Sequence, residues 1–538
     1  MKPDRLTADR IGAAWLRAAL APQTDIGRRA DEAALPYGPP DASAARARCA
    51  EIAGLAQTLS AQGVARLRTA LRRIPDPTDI VSRATFGDAL SDVDFFELAR
   101  FSEALEATAQ GWDAAGGERF ARPPVVTAVA ALLGRGFEGG GFYLSDGFAA
   151  GLGAARADYA AADAEVMRAR RRLAEALETE LGMVPEGEEF IAMRDAVPAV
   201  PPGTRVVREA AAYRLLALEL DDPAVAAVER RDACLARLTQ AEERARRDLA
   251  AGVAAAGPEI LAAAGALGEL DRTLARVAFT QRWGGCVPAI SASRFAFSNA
   301  SFVPLRAALA EAGLRYTPIS LDLPGVAVLT GPNMGGKSAA LATCGFLAAC
   351  VAVGVPPPAE EATLPLVASI GWIGSEPTAD PARLLSAFGT EVVRARDALA
   401  AAEAPALLLV DEFARTTGPR EGRALLVALA EELARRGAFA LIATHFDDVA
   451  RDAGVAGFRV AGLDGRSPLE NAGRDVHAAL DAIASAMDYR IVVDDGTPRP
   501  SSDALAVAGL LGLDPAIVAR AGVLFTGGDP GPPERASE

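Results

Sequence analysis

Residues 331–338 read GPNMGGKS, which is the glycine, lysine and hydroxyl spacing of a phosphate-binding loop. The apolar run GVAVLT precedes the loop and a helix-compatible run follows it, so the loop should join a strand to a helix. Glycines let backbone N–H groups close around phosphates, and the helix N-terminus favours their negative charge. We therefore expect a nucleotide to contact the whole loop: Gly331, Pro332, Asn333, Met334, Gly335, Gly336, Lys337 and Ser338.

Two acidic residues complete this expected site. Asp411 and Glu412 follow the apolar run ALLLV, which is typical of a buried strand. Lys337 can reach the terminal phosphates of ATP, while Ser338 and Asp411 can hold Mg²⁺. Glu412 can act as the general base on the attacking water. An acidic pair at a strand end is common by itself, but beside a phosphate loop it predicts ATP hydrolysis.

A third apolar run, AFALIA, ends before Thr444 and His445. A side chain at this position can contact the terminal phosphate, and we assign that catalytic role to His445. An isolated histidine is also often structural, and His477, the other histidine of the chain, has no comparable context.

Several domains must support such a site, because 538 residues exceed one compact core. Dense Ala, Arg, Glu and Leu predict long amphipathic helices over about 154–183 and 223–255, packed as an antiparallel arm. The glycine-rich stretch 134–153 predicts a turn or hairpin. The predicted order is a helical core (1–150), lever and clamp arms (151–260), a return helix and connection (261–300), an α/β P-loop ATPase domain (301–525) and a disordered tail (526–538).

Composition argues against several classes of protein. The net charge of −15 argues against a globally nucleic-acid-binding surface, although a local basic face stays open. Five cysteines without a CxxC pair indicate reduced thiols rather than a disulfide framework or zinc site. We found no signal peptide and no uninterrupted apolar stretch of membrane-spanning length, so we expect a cytoplasmic protein without membrane contact.

The nucleotide motifs resemble those of the MutS family of ATPases, whose loop reads TGPNMGGKS as it does here from Thr330 to Ser338. The segment SAFGTEV (386–392) is similar to the family's Ser-Thr-Phe-x-x-Glu, and ATHFDDV (443–449) also matches. VDEFARTT (410–417) stands in place of LDE-x-GRGT, with Ala414, Arg415 and Thr416 replacing the first three residues of GRGT. This departure puts signalling between subunits in doubt.

The resemblance implies a homodimer in which each site is completed by its neighbour. Ser386 would then be offered in trans to the γ-phosphate bound by the partner. The chain opens almost directly into the helical core, which leaves no room for the family's mismatch-reading and connector domains. Phe95–Glu97 has the mismatch-reading Phe-x-Glu pattern but lies in a helical apolar run, so we interpret it as core.

Three functions remain open. The layout resembles the reactivase ATPases of cobalamin-dependent lysine and ornithine aminomutases, so the first reading is remodelling of an aminomutase, with or without a companion subunit. The alternative is a protein that binds mismatched, branched or duplex DNA, for which the RARRR run at 168–172 offers a basic helix face. These arginines can equally pair with nearby glutamates. In the third reading, nucleotide only stabilises a structural dimer, and the intact acid pair argues against it.

Overall fold

A computed structural model of the chain describes residues 3–119, 122–138, 141–332, 335–374, 387–463, 487–494 and 503–525. The chain forms two compact units, each built from segments that are distant in sequence. The first unit comprises Met1–Thr69, Gly111–Ala121 and Glu269–Glu538, and the second comprises Ala70–Gln110 and Arg122–Gly268. The consecutive domain boundaries expected from the sequence stay a prediction.

Helices dominate the first part of the chain and alternate with strands in the last part. In chain order the described α-helices are α1 Arg5–Arg10, α2 Ala13–Ala19, α3 Asp25–Ala33, α4 Ala42–Thr58, α5 Ala61–Leu71, α6 Thr78–Phe86, α7 Asp92–Ala114, α8 Thr127–Leu133, α9 Leu152–Ala176, α10 Glu178–Leu181, α11 Asp222–Trp283, α12 Val303–Glu311, α13 Lys337–Ala352, α14 Ala387–Ala400, α15 Pro419–Arg435, α16 Val449–Ala453, α17 Asp503–Leu510 and α18 Pro515–Phe525.

Within the described residues, the strands form four separate sheets. In chain order the described strands are β1 Phe137–Glu138, β2 Gly141–Phe142, β3 Glu189–Met193, β4 Thr204–Glu209, β5 Tyr213–Leu218, β6 Ala289–Ile290, β7 Phe295–Ala300, β8 Ile319–Leu323, β9 Val326–Thr330, β10 Glu361–Leu364, β11 Ser369–Gly374, β12 Ala406–Asp411, β13 Phe439–Ala443, β14 Ala456–Leu463 and β15 Met487–Val493.

A six-stranded sheet in the order β11-β12-β13-β9-β14-β15 lies at the centre of the first unit. Neighbouring strands from β11 to β14 run parallel, and β15 pairs antiparallel with β14. On β12, Leu407 and Leu409 face the cluster that contains α13, whereas Leu408 and Val410 face the cluster that contains α15. Because both faces are covered, the strands read as continuous apolar runs.

A smaller mixed sheet, β6-β10-β7-β8, lies in the same unit. Phe295 and Leu323, a cross-strand pair of β7 and β8, are fully buried in the cluster that contains α13. This sheet therefore extends the hydrophobic core on the α13 side of the central sheet. The first unit is thus an α/β structure preceded by helices.

In the second unit, α9 packs antiparallel against the part of α11 that precedes Glu269, which is the arrangement expected from their composition. Arg156 binds Glu242 at 3.1 Å and Arg230 binds Glu165 at 2.5 Å, so the partners advance along one helix while they retreat along the other. Val166 of α9 is buried, whereas most of its neighbours along the helix are exposed or half-buried. The pair is held by a narrow apolar stripe and by ion pairs at its surface.

The helix α11 is longer than the sequence suggested. It continues through Pro258 and runs for 62 residues to Trp283, so residues 261–283 are its last part and do not form a separate return helix. Leu267, Leu274 and Val277 are fully buried, which agrees with their assignment to the core. The helix ends before Gly284 and Gly285, which both have positive φ.

Two features of the second unit concern strands. The glycine-rich stretch contains the antiparallel pair β1 and β2, which is the expected hairpin. Between α9 and α11 lies an antiparallel sheet in the order β3-β5-β4, which the sequence analysis did not predict. Its apolar residues occur in short runs among prolines and arginines, and most of them are exposed or half-buried, so their periodicity is weak.

By length and composition alone, α11 is apolar enough to cross a membrane, with a mean hydropathy of 1.5 in its most apolar window of 18 residues. In that window 39% of the residues are buried inside the protein. One such helix is weak evidence for a membrane span, because core helices of soluble proteins meet the same criteria.

Candidate active site

Three parallel strands deliver the predicted residues to one edge of the central sheet. Asp411 at the end of β12 lies opposite Ala443 at the end of β13, and Ala443 lies opposite Leu329 of β9. The phosphate loop, the acid pair and the segment after β13 follow these three strand ends. The carboxyl edge of a parallel sheet is where such folds usually bind ligands.

The backbone of the phosphate loop needs its glycines. Gly331 has a φ of 140°, and a Cβ atom there would lie 3.1 Å from the Cβ of Val460. Gly336 has a φ of 78° and lies directly before α13, and a Cβ atom there would lie 3.3 Å from the ring of Tyr489. Only glycine adopts both conformations without strain. The predicted loop residues Asn333 and Met334 lie outside the described part of the chain.

Lys337 begins α13 and is buried, with 4% of its side chain exposed. Its Nζ donates to the carbonyl oxygens of Gly331 at 2.8 Å and Pro332 at 3.0 Å, so the loop curls around the ammonium group. Burial lowers the pKa of Lys337, and the nearby charges of Glu412 and Asp411 oppose this shift. The Nζ lies 3.8 Å from Glu412 Oε1, an ion-pair distance.

Ser338 and Asp411 meet directly, because the Ser338 hydroxyl donates to Asp411 Oδ1 at 3.0 Å. Burial raises the pKa of Asp411, and the hydrogen bond from Ser338 lowers it. The charge of Glu412 raises this pKa further, whereas those of Arg10 and Lys337 lower it. A hydroxyl and a carboxylate are the hard oxygen donors that Mg²⁺ prefers, so this pair fits Mg²⁺.

Glu412 is held in an unusual backbone conformation. Its φ is 51°, which is uncommon for a residue with a side chain, and its N–H donates to the Ala443 carbonyl at 3.0 Å. Its carboxylate is 17% exposed and accepts a hydrogen bond from Arg415 Nη1 at 2.9 Å. Strained residues of this kind often occur at functional sites.

Glu391 is a residue of this region whose place the sequence analysis did not explain. It lies on α14 with only 1% exposure, and its Oε2 accepts the N–H of Ala414 at 3.0 Å. Ala414 has a φ of 62°. A buried carboxylate therefore supports the loop after the acid pair. The one available signal was the last glutamate of the Ser-Thr-Phe-x-x-Glu-like segment.

The segment after β13 has one buried and one exposed residue. Thr444 is buried, its N–H donates to the Leu329 carbonyl at 3.1 Å, and its hydroxyl accepts the N–H of Phe446 at 3.0 Å. His445 is exposed and its ring lies 4.4 Å from that of Phe446. Thr444 thus ties β13 to the strand before the phosphate loop, and a phosphate contact of His445 stays a prediction.

Several other residues were singled out from the sequence. Ser386, expected to act in trans, and His477 fall outside the described residues. Phe95 is fully buried on α7, and the centroid of its ring lies 5.3 Å from that of Phe142. The Phe-x-Glu pattern therefore has a structural role there. Phe297 and Phe302, two aromatic residues ahead of the phosphate loop that could have stacked on a base, pack in the core around α13.

The basic run on α9 is largely paired with acidic residues. Arg170 binds Glu188 at 2.5 Å. Arg171 binds Glu175 at 2.8 Å, and Arg172 binds Asp221 at 2.5 Å. These contacts agree with the interpretation of the run as a solvated helix face, and they reduce the positive charge available to a polyanion.

Comparisons with known proteins place this site in context. Residues 327–522 match the family model described as MutS domain V. The chain is 35% identical over 211 residues to "Endonuclease MutS2" of Anaeromyxobacter sp., covering 39% of this chain and 24% of that protein. It is 31% identical over 262 residues to "Endonuclease MutS2" of Thermotoga petrophila, and this match covers 47% of this chain and 31% of that protein.

These two matches span only 24% and 31% of the length of the curated relatives. They give no support to the likeness with aminomutase reactivases, and they favour the DNA-related alternative. The family model begins inside β9 and includes Lys337, Ser338, Asp411 and Glu412. Together, the domain match and the partial homology relate residues 327–522 to domain V of MutS proteins.

Proposed function

We propose that the chain binds ATP with Mg²⁺ and hydrolyses it at the carboxyl edge of the central sheet. The observation that carries this proposal is the hydrogen bond of 3.0 Å between Ser338 and Asp411, with Lys337 and Glu412 beside it. A hydroxyl, a carboxylate, an ammonium group and a second carboxylate thereby converge at the N-terminus of α13. That is the set of groups that phosphoryl transfer to water requires.

Each residue has a distinct task in this reaction. The N–H groups of the loop and the Lys337 ammonium bind and orient the terminal phosphates, where the ammonium neutralises negative charge. Glu412 holds a water molecule and accepts its proton as the water oxygen attacks the γ-phosphorus. The bond to the bridging oxygen breaks, which releases ADP and phosphate. Mg²⁺ bound by Ser338 and Asp411 would neutralise charge that develops on the phosphate oxygens.

The backbone around Glu412 favours this role. Its hydrogen bond to Ala443 and the support of Ala414 by Glu391 fix the loop on both sides of the carboxylate. Arg415 holds the second carboxylate oxygen from the solvent side. A base that is already positioned loses less entropy when the transition state forms.

A homodimer with Ser386 offered in trans is a further part of the proposal, supported by the family likeness. Nucleotide that contacts both subunits would favour the closed pair by its differential affinity, and hydrolysis would remove that preference. The antiparallel α9 and α11 are the elements expected to change position with the nucleotide state.

We propose DNA as the partner of this ATPase. The relatives are named endonucleases, which implies a nucleic-acid substrate for those proteins. Their nuclease activity is not transferred here, because the match covers so little of their length. Remodelling of a cobalamin-dependent aminomutase has no support from the comparisons, so it becomes the competing arm of the experiment.

The experiment measures steady-state ATPase activity of the purified protein alone, with duplex, mismatched and branched DNA, and with an inactivated cobalamin-dependent aminomutase and its companion subunits. We expect stimulation by DNA that falls steeply as salt rises. Stimulation by the aminomutase without any effect of DNA would overturn the choice of partner. Absence of turnover in every mixture, with Lys337→Ala as the inactive reference, would overturn hydrolysis itself.

A further inference from the structure

The amino-terminal helix α1 lies against the strand next to the acid pair. Thr7 is fully buried, and its hydroxyl accepts the N–H of Trp372 on β11 at 3.0 Å. Asp4 caps the helix through the N–H of Thr7 at 3.0 Å. A backbone donor of the outer strand β11 is thus paired with a side chain of α1, which fixes the helix at this edge of the sheet.

The turn after α1 is also closely packed. Ile11 is fully buried, and a Cβ atom on Gly345 of α13 would lie 2.3 Å from its Cγ2. Gly12 has a φ of 70°, and a Cβ atom there would lie 2.7 Å from Pro304 of α12. The helix that starts at the phosphate loop and the amino-terminal segment therefore share one tightly packed contact.

Docking of α1 places a positive charge over β11, the strand that pairs with the strand ending in Asp411. The Arg10 guanidinium lies over the ring of Trp372, 5.9 Å from its centroid. Gly374 pairs with Asp411 in register, and a Cβ atom on Gly374 would lie 3.1 Å from Trp372 Nε1 and 3.2 Å from Asp411 Cβ. The Trp372 indole, which lies under Arg10, and the Asp411 side chain are therefore both next to Gly374, on the same face of the sheet.

We propose that Arg10 is a nucleotide-binding residue of this ATPase, contributed by the amino-terminal helix, and that its charge attracts the polyphosphate at the Ser338–Asp411 end of the site. The inference rests on the proposed binding of ATP. Occupation of the nucleotide site and docking of α1 are then linked, because each favours the other.

The test is equilibrium binding, which requires no turnover. ATP and ADP displace a fluorescent ATP analogue from the wild type, Arg10→Gln, Arg10→Lys and Arg5→Gln, with Mg²⁺ or with EDTA. Arg5 lies on the same helix and is exposed, so it is the matched control. Glutamine removes the charge of Arg10 but keeps much of its stem over the indole, which preserves packing.

We expect Arg10→Gln to weaken binding of free ATP about tenfold, and binding of Mg-ATP less, because Mg²⁺ neutralises part of the nucleotide charge. Arg10→Lys should remain close to the wild type, and Arg5→Gln should equal it. Equal affinities of Arg10→Gln and Arg5→Gln would overturn the inference. An equal loss for every nucleotide, whatever its charge, would also overturn it and indicate a purely structural role. Failure of the wild type to bind ATP would instead refute the proposed function.

Discussion

The central sheet of the first unit and the α9–α11 pair of the second unit stabilise the protein in different ways. Along β12 consecutive leucines are buried on alternate faces, so every position is constrained. Along α9 only a narrow stripe is buried, and the remaining positions are exposed or half-buried. The sheet therefore holds side chains at fixed places, as a catalytic site requires, whereas the helix pair tolerates substitution.

The charged side chains of the two regions also differ in how much of them solvent reaches. In the site, Lys337 is buried and Asp411 is half-buried, so each charge depends on its neighbours and their pKa values shift. On the helix pair, arginines and acids are exposed and paired through solvent-accessible contacts. Charge removal should therefore have large effects in the first region and small effects in the second. Four substitutions test this contrast.

Glu412→Gln should reduce turnover by about 10²–10⁴-fold, because glutamine cannot accept the proton of the attacking water. ATP binding should stay near the wild-type level, since the phosphate loop is unchanged. Steady-state hydrolysis and equilibrium nucleotide binding give both values. Glu431→Gln, on the exposed surface of α15, is the control. Normal turnover of Glu412→Gln would remove this residue from the mechanism.

Leu409→Ala should lower the free energy of unfolding by about 2–5 kcal/mol, because the leucine is fully buried in β12 and the sheet cannot close the cavity. Urea denaturation followed by tryptophan fluorescence is suitable, since Trp15, Trp112, Trp283 and Trp372 all belong to the first unit. A loss below about 1 kcal/mol would mean that this part of the sheet repacks easily.

Ala414→Gly should raise the free energy of unfolding by about 1 kcal/mol, because alanine is strained at a φ of 62° and glycine is not. This change also restores the first glycine of the family's GRGT. The same urea experiment measures it, and Ala430→Gly, inside α15 with ordinary helical geometry, should instead be destabilising. A destabilising Ala414→Gly would show that the alanine methyl group contributes packing that outweighs the strain.

Arg230→Ala should change stability by less than about 1 kcal/mol, although Arg230 binds Glu165 at 2.5 Å, because their side chains are 53% and 44% exposed. Far-ultraviolet circular dichroism during urea denaturation follows the helix pair, and Glu165→Ala with the double variant isolates the pair energy. A coupling above about 2 kcal/mol would contradict the contrast drawn here.

The convergence of the candidate site residues was largely predictable, because these residues carry local signals. Lys337 and Ser338 lie in a loop with a characteristic spacing, and Asp411 and Glu412 end a continuous apolar strand. Parallel strands must bring their carboxyl ends to one edge, so their convergence followed from the pattern. The antiparallel helix pair was likewise visible in composition, but the continuity of α11 through Pro258 was not.

The sequence by itself determined the three strands that lead into the site, the glycine-rich loop and the identity of the acid pair, since each depends on neighbouring residues in the chain. Only the tertiary structure decided that Glu391 supports Ala414 and that Arg10 of the amino-terminal helix lies over Trp372. Those contacts join residues far apart in the chain, and no periodicity or motif encodes which distant side chains will meet. They depend on how the helices close over the sheet, which packing of the whole unit determines.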